Sequence, residues 1–219
     1  MFENRHVLIE EETRIHEMIR EMYQHATNAM ELAIESLMSQ DSEIADSVVK
    51  KDNELNELTC QVEKECLLAV ATQQPTPQDV LDIIASLQIS SELERIGDHA
   101  KDIAKIVMNM DPTDFSGPMD QISAMSNLCQ DMLVQAMDAY GRRDVELAKD
   151  CANDDHEVDE LNNLASSSLL MQLATKPDQG MHCTHLLWIA YHLERIGDRI
   201  KNIAERVVFM VTAETPDLD

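Results

Sequence analysis

The sequence predicts an all-α protein, and three observations carry that expectation. Aromatic residues make up only 3% of the chain, which holds just 5 Gly and 6 Pro. Sheets draw on aromatic and β-branched residues and need frequent turns, so this composition disfavours them. Met is abundant at 14 residues, alongside many Ala, Leu and Glu, all side chains that lose little freedom on entering a helix. Apolar residues also recur three and four apart over long stretches, which marks one face of a helix.

The first helix is carried by the stripe Ile15, Met18, Ile19, Met22, Ala26, Ala29, Met30, Ala33 and Leu37. Ser39-Gln40-Asp41-Ser42 interrupts it, with Asp41 or Ser42 suited to cap the next helix. The second helix places Ile44, Val48, Leu55, Leu58, Val62, Cys66 and Val70 on one face. It ends at Gln73-Gln74-Pro75-Thr76-Pro77, because proline cannot continue a helix interior and restricts the residue before it. Thr76 with Pro77 then reads as the cap and first turn of a third helix running to about Met110. Asp111–Pro118 is the densest cluster of turn residues in the chain. Beyond it the pattern predicts helices near 119–141, 144–175 and 181–212, with Lys176-Pro-Asp-Gln-Gly180 as a break. The acidic tail Glu214–Asp219 is expected to fray.

The second half repeats the first. Asp41, Glu43 and Ala45 align with Asp144, Glu146 and Ala148, and Asp52, Glu54 and Glu57-Leu58 with Asp155, Glu157 and Glu160-Leu161. Further on, Leu93-Glu-Arg-Ile-Gly-Asp98 recurs without change as Leu193-Glu-Arg-Ile-Gly-Asp198. The alignment offset shortens by three between these blocks, a register change confined to one loop, as expected of a duplicated domain. The expected architecture is two tandem three-helix bundles, six helices in all: residues 1–111, a linker 112–118, and residues 119–219.

Charge narrows the function. A formal charge of −25 repels nucleic acid and anionic membrane surfaces, whose phosphates are bound by Lys and Arg. Cations or basic partner surfaces are favoured instead. No stretch approaches the roughly 18 apolar residues of a membrane span, and the first residues lack the apolar core of a signal peptide. Five scattered Cys with no CxxC pair read as reduced thiols. Direct membrane insertion is not expected, and a cytoplasmic location is.

The sharpest chemical feature is the repeated Glu-Arg-Ile-Gly-Asp. Glu94 and Asp98 project from one helix face, as do Glu194 and Asp198, and Asp102 and Asn202 continue those rows. Like charges at this spacing repel, a penalty that a bound hard cation would reverse. Asp52 and Asp98 each lie 23 residues from Pro75, so an antiparallel hairpin about that proline sets them at one height. Asp155, Asp159, Glu194 and Asp198 are arranged in much the same way in the second repeat. Two readings are open: a surface metal site, or a solvated acidic face braced by Lys101, Lys105 and Lys201. Arg95 and Arg195 are expected to hold the neighbouring carboxylates. Gly97 and Gly197 cost helix stability, so each implies close approach of another helix or room beside the carboxylates.

These residues resemble the signature of the PhoU family of phosphate-signalling regulators. The third helix of each repeat, Leu93–Ala104 and Leu193–Ala204, is similar to that signature, as are Gln74-Pro75 and the Asp41 and Asp52 positions. The resemblance spans essentially the whole chain. It implies a pair of three-helix bundles, often dimeric, whose acidic motifs can hold iron or zinc clusters on the bundle surface. Carried onto this chain, those motifs are Glu94/Asp98 and Glu194/Asp198, joined by Asp52 and by Asp155/Asp159. It also implies a negative regulator that couples a phosphate ABC transporter, through its ATPase, to a sensor histidine kinase. This chain departs from the family at Asp79-Val80-Leu81, where an Asp-Leu-Arg is usual, and at Asn56, which replaces the motif's second Asp.

An enzyme is the first rival. Di-iron bundles need an inward Glu-x-x-His pair from each of two helices, and this chain has a single such spacing, Glu3-Asn-Arg-His6. His182-Cys183-Thr184-His185 lacks further ligand partners in the sequence. No Gly-rich phosphate loop is present. The remaining alternatives are an accessory subunit of another phosphate carrier and a metal-free helical scaffold.

Overall fold

The computed structural model of the chain describes residues 2–111, 117–216 and 218. Among them are helices and no strands. Helix α1 spans Phe2–Ser39, α2 Ser42–Gln73 and α3 Pro77–Met108 in the first repeat. In the second, α4 spans Met119–Arg142, α5 Val145–Asn153, α6 Asp155–Thr175 and α7 Gly180–Thr212. Residues 112–116 of the expected linker, and 217 and 219 of the tail, lie outside the described residues. Leu218 donates its amide to Glu205 Oε1 at 3.4 Å.

The capping expectations are met in atomic detail. Asp41 accepts from the amides of Glu43 at 2.8 Å and Ile44 at 3.3 Å, and Asp144 accepts from Glu146 and Leu147, both at 3.1 Å. Each carboxylate satisfies amides that a helix start leaves unpaired. Thr76 and Asp79 form a reciprocal capping box, with Pro77 in the first turn.

Three details differ from the sequence reading. Helix α1 begins well before Ile15, and Leu8 is buried with the stripe above it. The helix expected over 144–175 is divided at Asp154 into α5 and α6, within the six-helix plan. Asn153-Asp154-Asp155 explains the division, since short polar side chains compete for backbone hydrogen bonds and are poor in helix interiors. The equivalent Lys50-Lys51-Asp52 leaves α2 continuous. Within the expected stripes, Val70 faces solvent and Ala69 takes the core position.

In each repeat, the third helix packs on the other two. Helices α3 and α7 then share the most extensive contact in the molecule. Polar links fix their direction: Gln78 donates to the Met210 carbonyl at 2.9 Å, Arg206 to Gln88 at 3.3 Å, and Arg199 Nη1 lies 3.5 Å from Glu92. His99 meets His192 at 3.1 Å. Numbers rise along α3 as they fall along α7, so the two helices run antiparallel. The buried apolar side chains of both repeats form one continuous core.

Candidate functional site

The first repeat brings Asp52, Glu94 and Asp98 into the groove between α2 and α3, the register expected from the symmetry about Pro75. A lysine joins them. The Lys101 ammonium stands 2.9 Å from Asp52 Oδ2 and 2.5 Å from Asp98 Oδ1. Burial works against its charge, yet the hydrogen bonds to Asp98 and Asp52 outweigh that and raise its pKa. Arg95 lies 3.3 Å from Asp98 and 3.5 Å from Glu94, as the sequence led us to expect. Glu94 is pushed above the ordinary carboxylate range by burial and then by the charge of Asp98. Asn56 donates to Asp52 at 3.3 Å.

The second repeat uses equivalent residues differently. Asp155 is only 5% exposed. Lys201 approaches its Oδ2 no closer than 3.8 Å, and its Oδ1 is buried without a hydrogen-bond partner among the described residues. Burial, reinforced by the charges of Asp198 and Asp159, pushes the Asp155 carboxyl up to about 6. Burial also raises Asp198, with Arg195 opposing and Glu194 adding to the shift. Arg195 clasps Glu194 and lies 2.8 Å from Asp198. Asp155 and Asp198 are thus each buried beside further carboxylates that add to the shift.

The glycines make these arrangements possible. A Cβ on Gly97 would stand 2.3 Å from Leu55 Cδ1, so α2 and α3 approach closely there. On Gly197 it would stand 2.9 Å from Asp155 Oδ1 and 3.4 Å from Val158 Cγ1. Close packing holds in both repeats, and in the second the missing side chain also makes room for a carboxylate.

Asp102 and Asn202 leave the rows they continue in sequence. Asp102 pairs with Lys105 at 2.9 Å, and Asn202 donates across the repeat interface to Glu92 at 3.3 Å. Among the described residues, no three His, Cys, Asp or Glu side chains converge as a metal-ligand set. In the first repeat, Lys101 already supplies a cation between Asp52 and Asp98. The second suits a cation better: a bare buried carboxylate oxygen, three acidic neighbours, and a more distant lysine. His182 and Cys183 are buried in the first turns of α7.

Sequence reasoning missed a second polar cluster. The Arg143 guanidinium pairs with the buried Asp82, Ser86 and Tyr140 hydroxyls lie 2.6 Å apart, and His16 meets the Tyr140 ring edge-on. These residues share no motif; only the packing of α1, α3 and α4 brings them together.

Comparison with known proteins resolves the family. The PhoU domain model matches residues 19–107 and again 122–207, one match per repeat. The chain belongs to the PhoU family. Its relatives include the phosphate-specific transport system accessory protein PhoU homologs of Caulobacter vibrioides and Clostridium acetobutylicum. The first is 37% identical over 184 residues, covering 83% of this chain and 79% of the relative. The second is 30% identical over 187 residues, 85% of each. The crystal structure of the phosphate transport system regulatory protein PhoU from Streptococcus pneumoniae superposes with a TM-score of 0.89 at 27% identity. That match covers 96% of this chain and 99% of that one. PhoU from Pseudomonas aeruginosa gives 0.88, also at 27% identity, with 93% and 98% covered. Among the described residues, no helix of this PhoU-family chain is long and apolar enough to cross a membrane.

Proposed function

We propose that this protein is a negative regulator of phosphate uptake and of phosphate-starvation signalling, acting through protein contacts and not through catalysis. The observation that carries this reading is the family match over both repeats, together with relatives named as phosphate-transport accessory proteins. Its partners are the ATPase of a phosphate ABC transporter and a sensor histidine kinase, which it holds in the inactive or phosphatase state when phosphate is plentiful. It works as a homodimer in the cytoplasm. Deleting the gene should leave the phosphate-starvation response on in phosphate-rich medium, and re-expression should shut it off. A normal shut-off in the deletion strain would refute the reading, and co-purification with a different phosphate carrier would favour the accessory-subunit alternative.

We further propose that the acidic cluster of the second repeat, Asp155, Asp159, Glu194 and Asp198, is where iron or zinc binds. The unpartnered oxygen of Asp155 and the mutual repulsion of its neighbours support this, since hard cations take carboxylate oxygens. Glu94, Asp98 and Asp52 form the weaker site because Lys101 competes for it. Elemental analysis of purified protein tests the assignment. Asp198→Ala should lose bound metal while Asp98→Ala retains most of it; equal retention by both would remove the second-repeat cluster from consideration.

A further inference from the structure

We propose that His99 and His192, facing each other where α3 crosses α7, form a second metal site that prefers nitrogen-binding divalent ions such as Zn²⁺, Ni²⁺ or Cu²⁺. Their Nδ1 atoms lie 3.1 Å apart. In the metal-free protein, the proton of one nitrogen points at the lone pair of the other. A tetrahedral ion bound at about 2.0–2.1 Å from each nitrogen holds the two about 3.3 Å apart. With a small ring rotation, and with the ring that carries its proton on Nδ1 moving it to Nε2, both Nδ1 lone pairs become available to the metal.

The surroundings suit a bound ion. The two imidazoles come from different helices and already present Nδ1 to Nδ1, so two nitrogen donors converge on one point. The Asp102 carboxylate acts on both and favours positive charge between them. The nearby cations are occupied: Arg199 lies 3.5 Å from Glu92, and Lys105 2.9 Å from Asp102. Both imidazoles are half-buried, so an ion can reach them and complete its coordination with water.

The internal repeat adds an independent indication. Leu93 aligns with Leu193, an offset of 100. Position 92 then corresponds to 192, and 99 to 199. The antiparallel crossing of α3 and α7 thus makes two equivalent pairs, Glu92–Arg199 and His192–His99. One is an ion pair that ties the repeats together. The other is two facing imidazoles, and a bound metal would supply the matching tie.

The chain's single tryptophan provides the readout, because the Trp188 ring centroid lies 6.5 Å from that of His192. Full-length protein stripped with chelator is titrated with Ni²⁺, a paramagnetic quencher, while Trp188 fluorescence is followed. Saturable quenching is expected in the parent. His99→Gln and His192→Gln, checked for helix content by circular dichroism, should each weaken it at least about tenfold. Asp198→Ala and His185→Gln should leave it unchanged. Quenching that survives His99→Gln, or that is lost in His185→Gln, would overturn the proposal. Independently of any variant, Zn²⁺ should shift the Nδ1 resonances of two imidazoles in ¹⁵N-histidine-labelled parent protein, and no shift would also overturn it.

Discussion

Asp52 and Asp155 stand at equivalent positions of the two repeats, yet their surroundings give them different characters. Asp52 is held by Lys101 and Asn56. Asp155 is buried among acids and pushed from 3.8 to about 6. In metal-free protein, the folded chain therefore keeps a proton between those pH values that the unfolded chain has released. The contribution of Asp155 to stability falls as pH rises through that window, by an amount on the order of 1–3 kcal/mol. His99 acts in the opposite sense: lowered from 6.5 to about 4, it binds fewer protons folded than unfolded, so its contribution rises with pH over that range. Thermal melts in chelator from pH 4 to about 7 separate the two. Asp155→Asn should be more stable than the parent at neutral pH, with a profile that climbs more steeply. His99→Gln should tilt the profile downward. An Asp155→Asn protein less stable than the parent at neutral pH would mean that the charge is favourably held there.

At the level of helices, two glycines set how closely the second helix of each repeat approaches the third. Gly97→Ala must displace the buried Leu55 side chain, an overpacking cost of about 1–3 kcal/mol offset by up to about 1 kcal/mol of helix propensity. In a Leu55→Ala background, the displaced atom is gone. There Gly97→Ala should be neutral or stabilising, a coupling that urea denaturation of the four-protein cycle would measure. Additive effects would show that Leu55 is not what excludes the methyl. The caps provide a simpler case. Asp41→Ala and Asp144→Ala each strip two amides of their acceptor and should each cost about 1 kcal/mol in the same assay.

For the molecule as a whole, the decisive contact is between α3 and α7, which joins the two repeats into one core. Two separate bundles would unfold independently. A shared core predicts a single cooperative transition. Trp188 lies in the second repeat, whereas circular dichroism reports both. Urea transitions followed by the two signals should coincide. Leu93→Ala, in the first repeat, should shift both together by about 2–5 kcal/mol. A shift in circular dichroism with an unmoved Trp188 transition would instead mean two independent units.

The sequence by itself determined the helical class, the duplication, the cap at Thr76, a cap at Asp41 or Ser42, and the register that brings Asp52 to Asp98. Each rests on local periodicity or on spacing within one hairpin, where covalent connection limits the alternatives. The buried stripe of α1 was legible for the same reason, because a period of 3.6 residues assigns a face without knowledge of what will cover it. Only the tertiary structure decided that Lys101 fills the first acidic groove while Asp155 is left with a bare oxygen in the second. The side chains involved are the same types at equivalent positions of the two repeats, and a difference in approach of about one ångström separates the close Lys101–Asp52 pair from the looser Lys201–Asp155 pair. The Asp82–Arg143 pair, the Ser86–Tyr140 contact and the facing histidines arise between helices far apart in the chain. No periodicity encodes them, since the first two depend on how α1, α3 and α4 pack together and the last on how α3 crosses α7.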